Sequence, residues 1–152
     1  TYIRMARGFA YLVAVMDWFS RYVLSWAVSV TMDSLFCVDA MERALRHGSP
    51  EISNTDRGSQ FTGAEYTGVL DRHGVRISMD GRGRVFDNIM IERLWRTVKY
   101  EHVYLHDHGI VPELVTGLEQ YFTFYNTRRR HQSHGYRTPA QVYFNTSARQ
   151  LT

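Results

Sequence analysis

Cysteine is almost absent from this chain: Cys37 is the only one. That excludes a disulfide within the chain and a zinc site built on cysteines, and it fits a reducing compartment. Lysine is equally scarce. Lys99 stands alone among the 18 basic residues, and the rest are arginine. No apolar run approaches the roughly 18 residues a membrane span needs. The longest lies near Phe9–Met16, ends at Asp17 and reads as a buried strand. No membrane partner is expected, and no secretory leader pattern is visible.

Apolar side chains are present in quantity. Of 152 residues, 44% are hydrophobic and 14% aromatic, enough for the core of one domain and too much for a disordered chain. The charge is uneven. The formal net charge is +3, but residues 1–75 are slightly acidic and residues 76–152 hold 11 of the basic residues. Arginine's planar fork suits bidentate phosphate contacts. The plainer alternative is a solvated surface with a compositional bias.

Residue patterning predicts an ordered set of elements. Thr1–Met5 reads as a strand end, Phe9–Val15 and Val23–Val30 as two more strands, together an antiparallel meander. A helix follows, capped by Thr31 or Asp33, with Phe36, Ala40, Ala44 and Leu45 at helical spacing; Gly48-Ser49-Pro50 stops it. Glu51–Thr55 is a short strand, Thr62–His73 a helix closed by Gly74, and Val75–Ser78 another strand. After the glycine-rich segment Asp80–Arg84, Asp87 or Asn88 caps a helix running to Glu101, with Ile91, Leu94, Trp95 and Val98 as its apolar stripe. Helices over Pro112–Asn126 and Pro139–Phe144 complete the chain. Hairpins first and strand–helix alternation later indicate an α/β fold with a mixed sheet and helices on both faces. Trp18, Trp26 and Trp95 are expected in the core.

Two carboxylates stand out. Asp56 follows a short strand, where ligands collect in open α/β sheets. Glu92 lies on a helix, with 35 residues between it and Asp56. Hard dications take oxygen ligands, and a strand-end Asp facing a helical Glu is a sound way to build such a site. Taken singly, each acid is more often a turn or solvated residue.

The motifs around them are specific. Asn54-Thr55-Asp56-Arg57-Gly58-Ser59-Gln60-Phe61-Thr62 resembles the second-aspartate motif of the retroviral-integrase-like (DDE) catalytic core of bacterial insertion-sequence transposases. Asp87-Asn88-Ile89-Met90-Ile91-Glu92-Arg93-Leu94-Trp95 is similar to that family's glutamate motif, at the family spacing. Tyr125-Asn126-Thr127-Arg128-Arg129-Arg130-His131-Gln132 and Gly135-Tyr136-Arg137-Thr138-Pro139-Ala140 resemble its C-terminal signature. The signature departs at Arg130, where proline is frequent, and at Ser133-His134, where Ala-Leu is frequent. The resemblance covers residues 1–145 as a catalytic core, with 146–152 as a tail.

The resemblance implies a ribonuclease H-like fold and a polynucleotidyl transferase that cleaves and joins DNA in transposition. It implies two Mg²⁺ (or Mn²⁺) ions held by Asp56, Glu92 and a first aspartate two positions ahead of Thr1. It also implies an upstream helix-turn-helix region, homo-oligomers on paired DNA ends, and a bacterial cytoplasmic setting. Because the sequence begins after that first aspartate, the rival expectation is a truncated, non-catalytic DNA-binding remnant that interferes with full-length transposase. Asp17, in an Asp17-x-x-Ser20-Arg21 turn, is read as structural.

The DNA contacts expected are basic. Arg96 and Lys99 share a helix face with Glu92, Lys99 about 10 Å away by helical rise. The alternative for Arg96 is an ordinary Glu–Arg helix pair worth about 0.3–0.5 kcal/mol. Arg128, Arg129 and Arg130 form a compact cluster, and Arg82 and Arg84 flank the Glu92 helix; all read as phosphate contacts. His102, His106 and His108 lie close in sequence, but without Cys or an acidic partner they are not expected to bind metal.

Overall fold

Strand β2 (Phe9–Met16) shows how the chain builds two faces at once. Its alternate side chains go to opposite sides. Ala10, Leu12, Ala14 and Met16 join one core, and Val13 and Val15 join another. The computed structural model describes residues 1–55, 59–79 and 89–150. Asp56, Arg82, Arg84 and the expected caps Asp87 and Asn88 lie outside them.

β1 (Tyr2–Arg4), β2 and β3 (Val23–Ser29) form the expected antiparallel meander, with Ile3 opposite Ala10 and Val13 opposite Ala27. The register shifts at Val15/Met16, an irregularity that increases local twist. β4 (Ile52–Thr55) and β5 (Arg76–Met79) pair in parallel, with Ile52 opposite Arg76 and Thr55 opposite Met79. Both strand senses are therefore present, as expected of a mixed sheet, although among the described residues no ladder joins the two sets.

Helices cover both faces. α1 (Leu35–Leu45) and α3 (Ala64–Arg72) bury Cys37, Ala40, Met41, Tyr66, Val69 and Leu70 against Val13 and Ala27. α4 (Ile89–Glu101) and α5 (Val111–Thr127) bury Leu94, Val98, Leu114 and Leu118 against Ile3, Leu12 and Val23. Each such leucine, removed from water, contributes roughly 1.5–3 kcal/mol.

The helix expected over Thr62–His73 is two: a single turn, α2 (Ser59–Thr62), and then α3. Gly63 between them takes φ −67°, ψ 152°, an extended conformation that ends one helix and starts the next. Gly74, at φ +68°, closes α3 as expected. Asp33 does help to start α1, accepting from the Leu35 N–H at 3.0 Å. The last helix, α6 (Pro139–Gln150), runs beyond the expected Phe144. No helix among the described residues is long and apolar enough to cross a membrane.

Candidate active site and nucleic-acid interface

α4 is amphipathic, and its apolar stripe decides which way Glu92 faces. Leu94 and Val98 are buried, Ile91 and Trp95 half-buried, and Glu92, Arg93 and Arg96 exposed. Glu92 sits in the first turn, where the helix dipole favours a carboxylate. It makes no hydrogen bond or ion pair with any described residue. The Glu92–Arg96 pair weighed above is not formed; Arg96 lies over the Tyr100 ring instead, 5.6 Å from its centroid. One helical turn further, Lys99 donates to Thr1 Oγ1 at 2.9 Å and lies 5.6 Å from the Tyr2 ring centroid. α4 is thereby held beside the start of β1.

β4 carries the chain to Thr55, immediately before Asp56. Asn54 Oδ1 and Thr55 Oγ1 are buried there and find no hydrogen-bond partner among the described residues. Such atoms cost free energy unless something polar meets them. Asp56 and Glu92 are hard oxygen donors of the kind Mg²⁺ or Mn²⁺ takes. Those unsatisfied oxygens, on the two residues that precede Asp56 in the sequence, suit a hydrated cation, so the chemistry of the donor set fits such an ion. Among the described residues alone, no group of three or more metal-ligating side chains is assembled.

The C-terminal signature divides into inward and outward residues. Tyr125 is buried in the α4/α5 core. Asn126 clamps the first residue of β3: its Oδ1 accepts from the Val23 N–H at 2.9 Å and its Nδ2 donates to Val23 O at 3.0 Å. Arg129, expected as a phosphate contact, is turned in. Its Nε and Nη2 grip Glu101 at 2.8–3.0 Å, and its guanidinium lies 5.8 Å from the Tyr125 ring centroid. The fork that would meet a phosphate is already occupied. Tyr121 donates to the same carboxylate at 2.5 Å. Burial alone would raise the Glu101 pKa, but these hydrogen bonds and the Arg129 charge outweigh it and leave it below its ordinary value. Arg128 and Arg130, either side of Arg129, remain exposed at the surface.

Two structural features were not read from the sequence. The first is a link between distant turns: Arg21 Nη1 meets His131 Nδ1 at 3.2 Å, with Arg21 in the left-handed region at φ 65°. Burial, then the Arg129 and Arg21 charges, push the His131 pKa down to about 4. The second is a histidine stack. His102 and His106 rings lie 4.3 Å apart, and His102 Nε2 meets His108 Nε2 at 3.1 Å. That contact needs one ring N–H donor and one ring nitrogen with a free lone pair, and burial, then His106 and His108, lower the His102 pKa to about 4. Gly117 makes the stack possible, because a Cβ there would come 2.7 Å from His108 Cε1 and 2.8 Å from His102 Nε2.

Asp17 is structural, as expected. Its Oδ2 accepts from the Ser20 N–H at 2.9 Å and from the Ser20 hydroxyl at 2.6 Å, closing the β2–β3 turn. In that turn Ser20 points inward and Trp18 does not. Trp18 is 49% exposed, against the expectation of a core residue, whereas Trp26 packs 5.4 Å from Phe122 and Trp95 joins the core.

Residues 1–84 match a family model described as integrase core domain, and residues 73–139 match a second model of the same description. The chain is 36% identical over 146 residues to the transposase InsF for insertion sequence IS3A of Escherichia coli strain K12, covering 93% of this chain and 50% of that protein. It is 32% identical over 143 residues to the transposase for insertion sequence element IS904 of Lactococcus lactis, covering 91% of this chain and 56% of that protein. The chain therefore spans about half the length of the curated relatives it matches. Among solved structures, the HTLV-2 integrase catalytic core domain in complex with magnesium superposes with a TM-score of 0.73 at 20% identity, over 93% of this chain and 90% of that one. The BIV integrase catalytic core domain gives 0.77 at 13% identity, over 100% and 95%. At those identities the likeness is one of fold, and it is the ribonuclease H-like fold that the motif resemblance implies.

Proposed function

Because the chain belongs to the integrase core domain family, we propose that it is the catalytic core of an insertion-sequence transposase, acting on DNA by metal-dependent strand cleavage and joining. The observation that carries this reading is the exposed Glu92, without a described partner, in the first turn of a helix whose Lys99 reaches the start of β1. Asp56 and Glu92 are the metal-holding carboxylates in this reading. Bound there, a pair of Mg²⁺ or Mn²⁺ ions would activate the attacking oxygen and stabilise the leaving one.

The chain's own side chains do the positioning. Leu94 and Val98, buried beneath α4, fix the helix so that Glu92 is held without a described partner to displace. Arg96 and Lys99 on the same helix, with Arg82, Arg84, Arg128 and Arg130, hold the DNA backbone. Holding reactants in line is the larger part of phosphoryl-transfer catalysis, which needs no covalent chemistry from the protein. Recognition of element ends belongs to an upstream helix-turn-helix region, assembly to further copies on paired DNA ends, and the setting is the bacterial cytoplasm.

The test is a strand-transfer assay on an oligonucleotide of the element end, with Mg²⁺ or Mn²⁺, using the full-length protein. Asp56→Asn and Glu92→Gln should each lower product by more than about 100-fold, beyond the usual cost of losing a merely supporting residue of a metal site. Wild-type product that survives either substitution refutes the assignment.

A further inference from the structure

We propose that a cavity at the start of α6 is a seat for a DNA phosphodiester, set apart from the reacting carboxylates and built by Arg128, Arg130 and Arg137. The inference rests on the reading of the chain as a DNA-joining core, and it adds to that reading a site and a residue, Arg137. The cavity measures about 460 Å³, and no carboxylate is among its lining residues, which include Thr127, Thr138 and Gln141 beside the three arginines. It is large enough for a ligand, but cationic where small-molecule pockets are mostly apolar.

Local backbone geometry brings the arginines together. Arg128 caps α5, its N–H donating to Phe124 O at 2.8 Å. Arg129 turns inward to Glu101, so Arg128 and Arg130 are left outside, their side chains with no hydrogen bond or ion pair to any described residue. The chain then doubles back. His131 N–H donates to Arg137 O at 3.1 Å and Tyr136 N–H to His131 O at 2.9 Å. Gly135 and Tyr136 sit at φ 61° and 62°, the second a conformation that L side chains rarely adopt. This reversal returns Arg137 to Arg130, and among the described residues only its Nε is engaged, on His134 O at 3.0 Å. Thr138 and Gln141 cap α6 reciprocally, at 2.9 and 3.2 Å, so the positive end of a 12-residue helix adds to the three charges.

Three guanidiniums in one cavity repel one another until an anion enters, and their forks match phosphate oxygens. The position favours DNA over a free anion. Arg129 ties this region to Glu101, nine residues beyond Glu92, about 13 Å along α4. That puts Glu101 about four nucleotide steps from Glu92 at 3.4 Å per step, a span of the order that a bound DNA strand covers.

Binding of a fluorescent DNA duplex to the full chain, measured between 50 and 200 mM salt, tests this. The triple variant Arg128→Gln/Arg130→Gln/Arg137→Gln should lower the slope of log affinity against log salt by about 0.9, the value of the one phosphate no longer held. An unchanged slope in a folded triple variant overturns the proposal. Should that variant not fold, Arg137→Gln alone decides: a lower slope supports the site and an unchanged one overturns it. Inorganic phosphate is the second probe; if it binds and the triple substitution abolishes that binding while duplex binding is untouched, a free anion replaces DNA and the proposal falls. The two readings fail separately. A wild-type protein that joins no DNA but loses salt slope in the triple variant keeps the seat and loses the activity.

Discussion

Two glutamates on one helix, Glu92 and Glu101, have opposite surroundings. Glu92 opens α4 exposed and without a described partner, and Glu101 closes it gripped by Arg129 and Tyr121. A carboxylate engaged by a bidentate arginine has its oxygen lone pairs and its charge committed. A carboxylate left free at a helix N-terminus is stabilised by the dipole yet keeps its oxygens for a ligand. The same side chain is thus a strut at one end of the helix and, in the proposed reading, a metal ligand at the other. Chemistry alone does not separate them; the neighbours do.

The sharpest way to break this comparison is to neutralise each glutamate. Glu92→Gln should abolish joining, by more than about 100-fold, and leave thermal stability unchanged. Glu101→Gln should do the reverse, lowering stability and sparing the joining rate of the protein that remains folded. Equal losses of activity from both would show that Glu92 has no special role.

Next in size is acid sensitivity, which belongs to the Glu101 end. His102 and His131 are 7% and 6% exposed, and both are held near pKa 4 in the folded chain. Their unfolded value is about 6.5, so between pH 4 and 6.5 the unfolded chain binds more protons. Stability from these two groups is complete above about pH 6.5 and falls as pH drops toward 4, by on the order of 2 kcal/mol each. Glu101, depressed below its ordinary value, adds a second loss at lower pH still. Urea midpoints measured from pH 7 to 4 should show the fall, and His102→Gln or His131→Gln should flatten it. A flat wild-type profile would mean that these rings are not held neutral.

The Glu101–Arg129 pair comes third. Its side chains are 37% and 26% exposed, so solvent screens it and it is worth less than a fully buried pair. Glu101→Gln and Arg129→Gln should each cost about 1–2 kcal/mol in urea denaturation. The double variant should cost less than their sum, because the second substitution has no partner left to lose. Strict additivity would mean that the pair is incidental.

These differences mark what the sequence could reveal. Local periodicity was legible: the alternation of Phe9–Met16 and the Leu94/Val98 stripe foretell the elements and their buried faces. Motif and spacing picked out Glu92, which stands exposed and without a hydrogen bond or ion pair to any described residue. Arg129 was misjudged because its partner lies 28 residues away, and a cluster of like charges gives no sign of which member turns inward. Trp18 was misjudged because a turn admits one inward side chain, and Ser20 takes that place with its hydroxyl on Asp17. The break at Gly63 depends on one backbone conformation that composition does not specify. The histidine stack needed Gly117 on α5 opposite His102, a meeting of two helices rather than of neighbours.

The smallest effect tests whether the reactive end of α4 extends one turn further. Lys99 is tied only lightly, to the Thr1 hydroxyl and over the Tyr2 ring, and neither contact neutralises its charge. An ammonium so placed can leave a hydroxyl for a phosphate at little cost, because the phosphate adds an opposite charge that the hydroxyl lacks. Lys99→Ala should therefore lower the salt slope of duplex binding by about 0.9, the value of one phosphate, with stability changed by less than about 0.5 kcal/mol. Lys99→Arg should restore most of the slope, since charge rather than shape is what a single phosphate needs. If Lys99→Ala destabilises the fold and leaves the slope intact, Lys99 is a strut like Glu101, and the reactive region ends with Glu92 and Arg96.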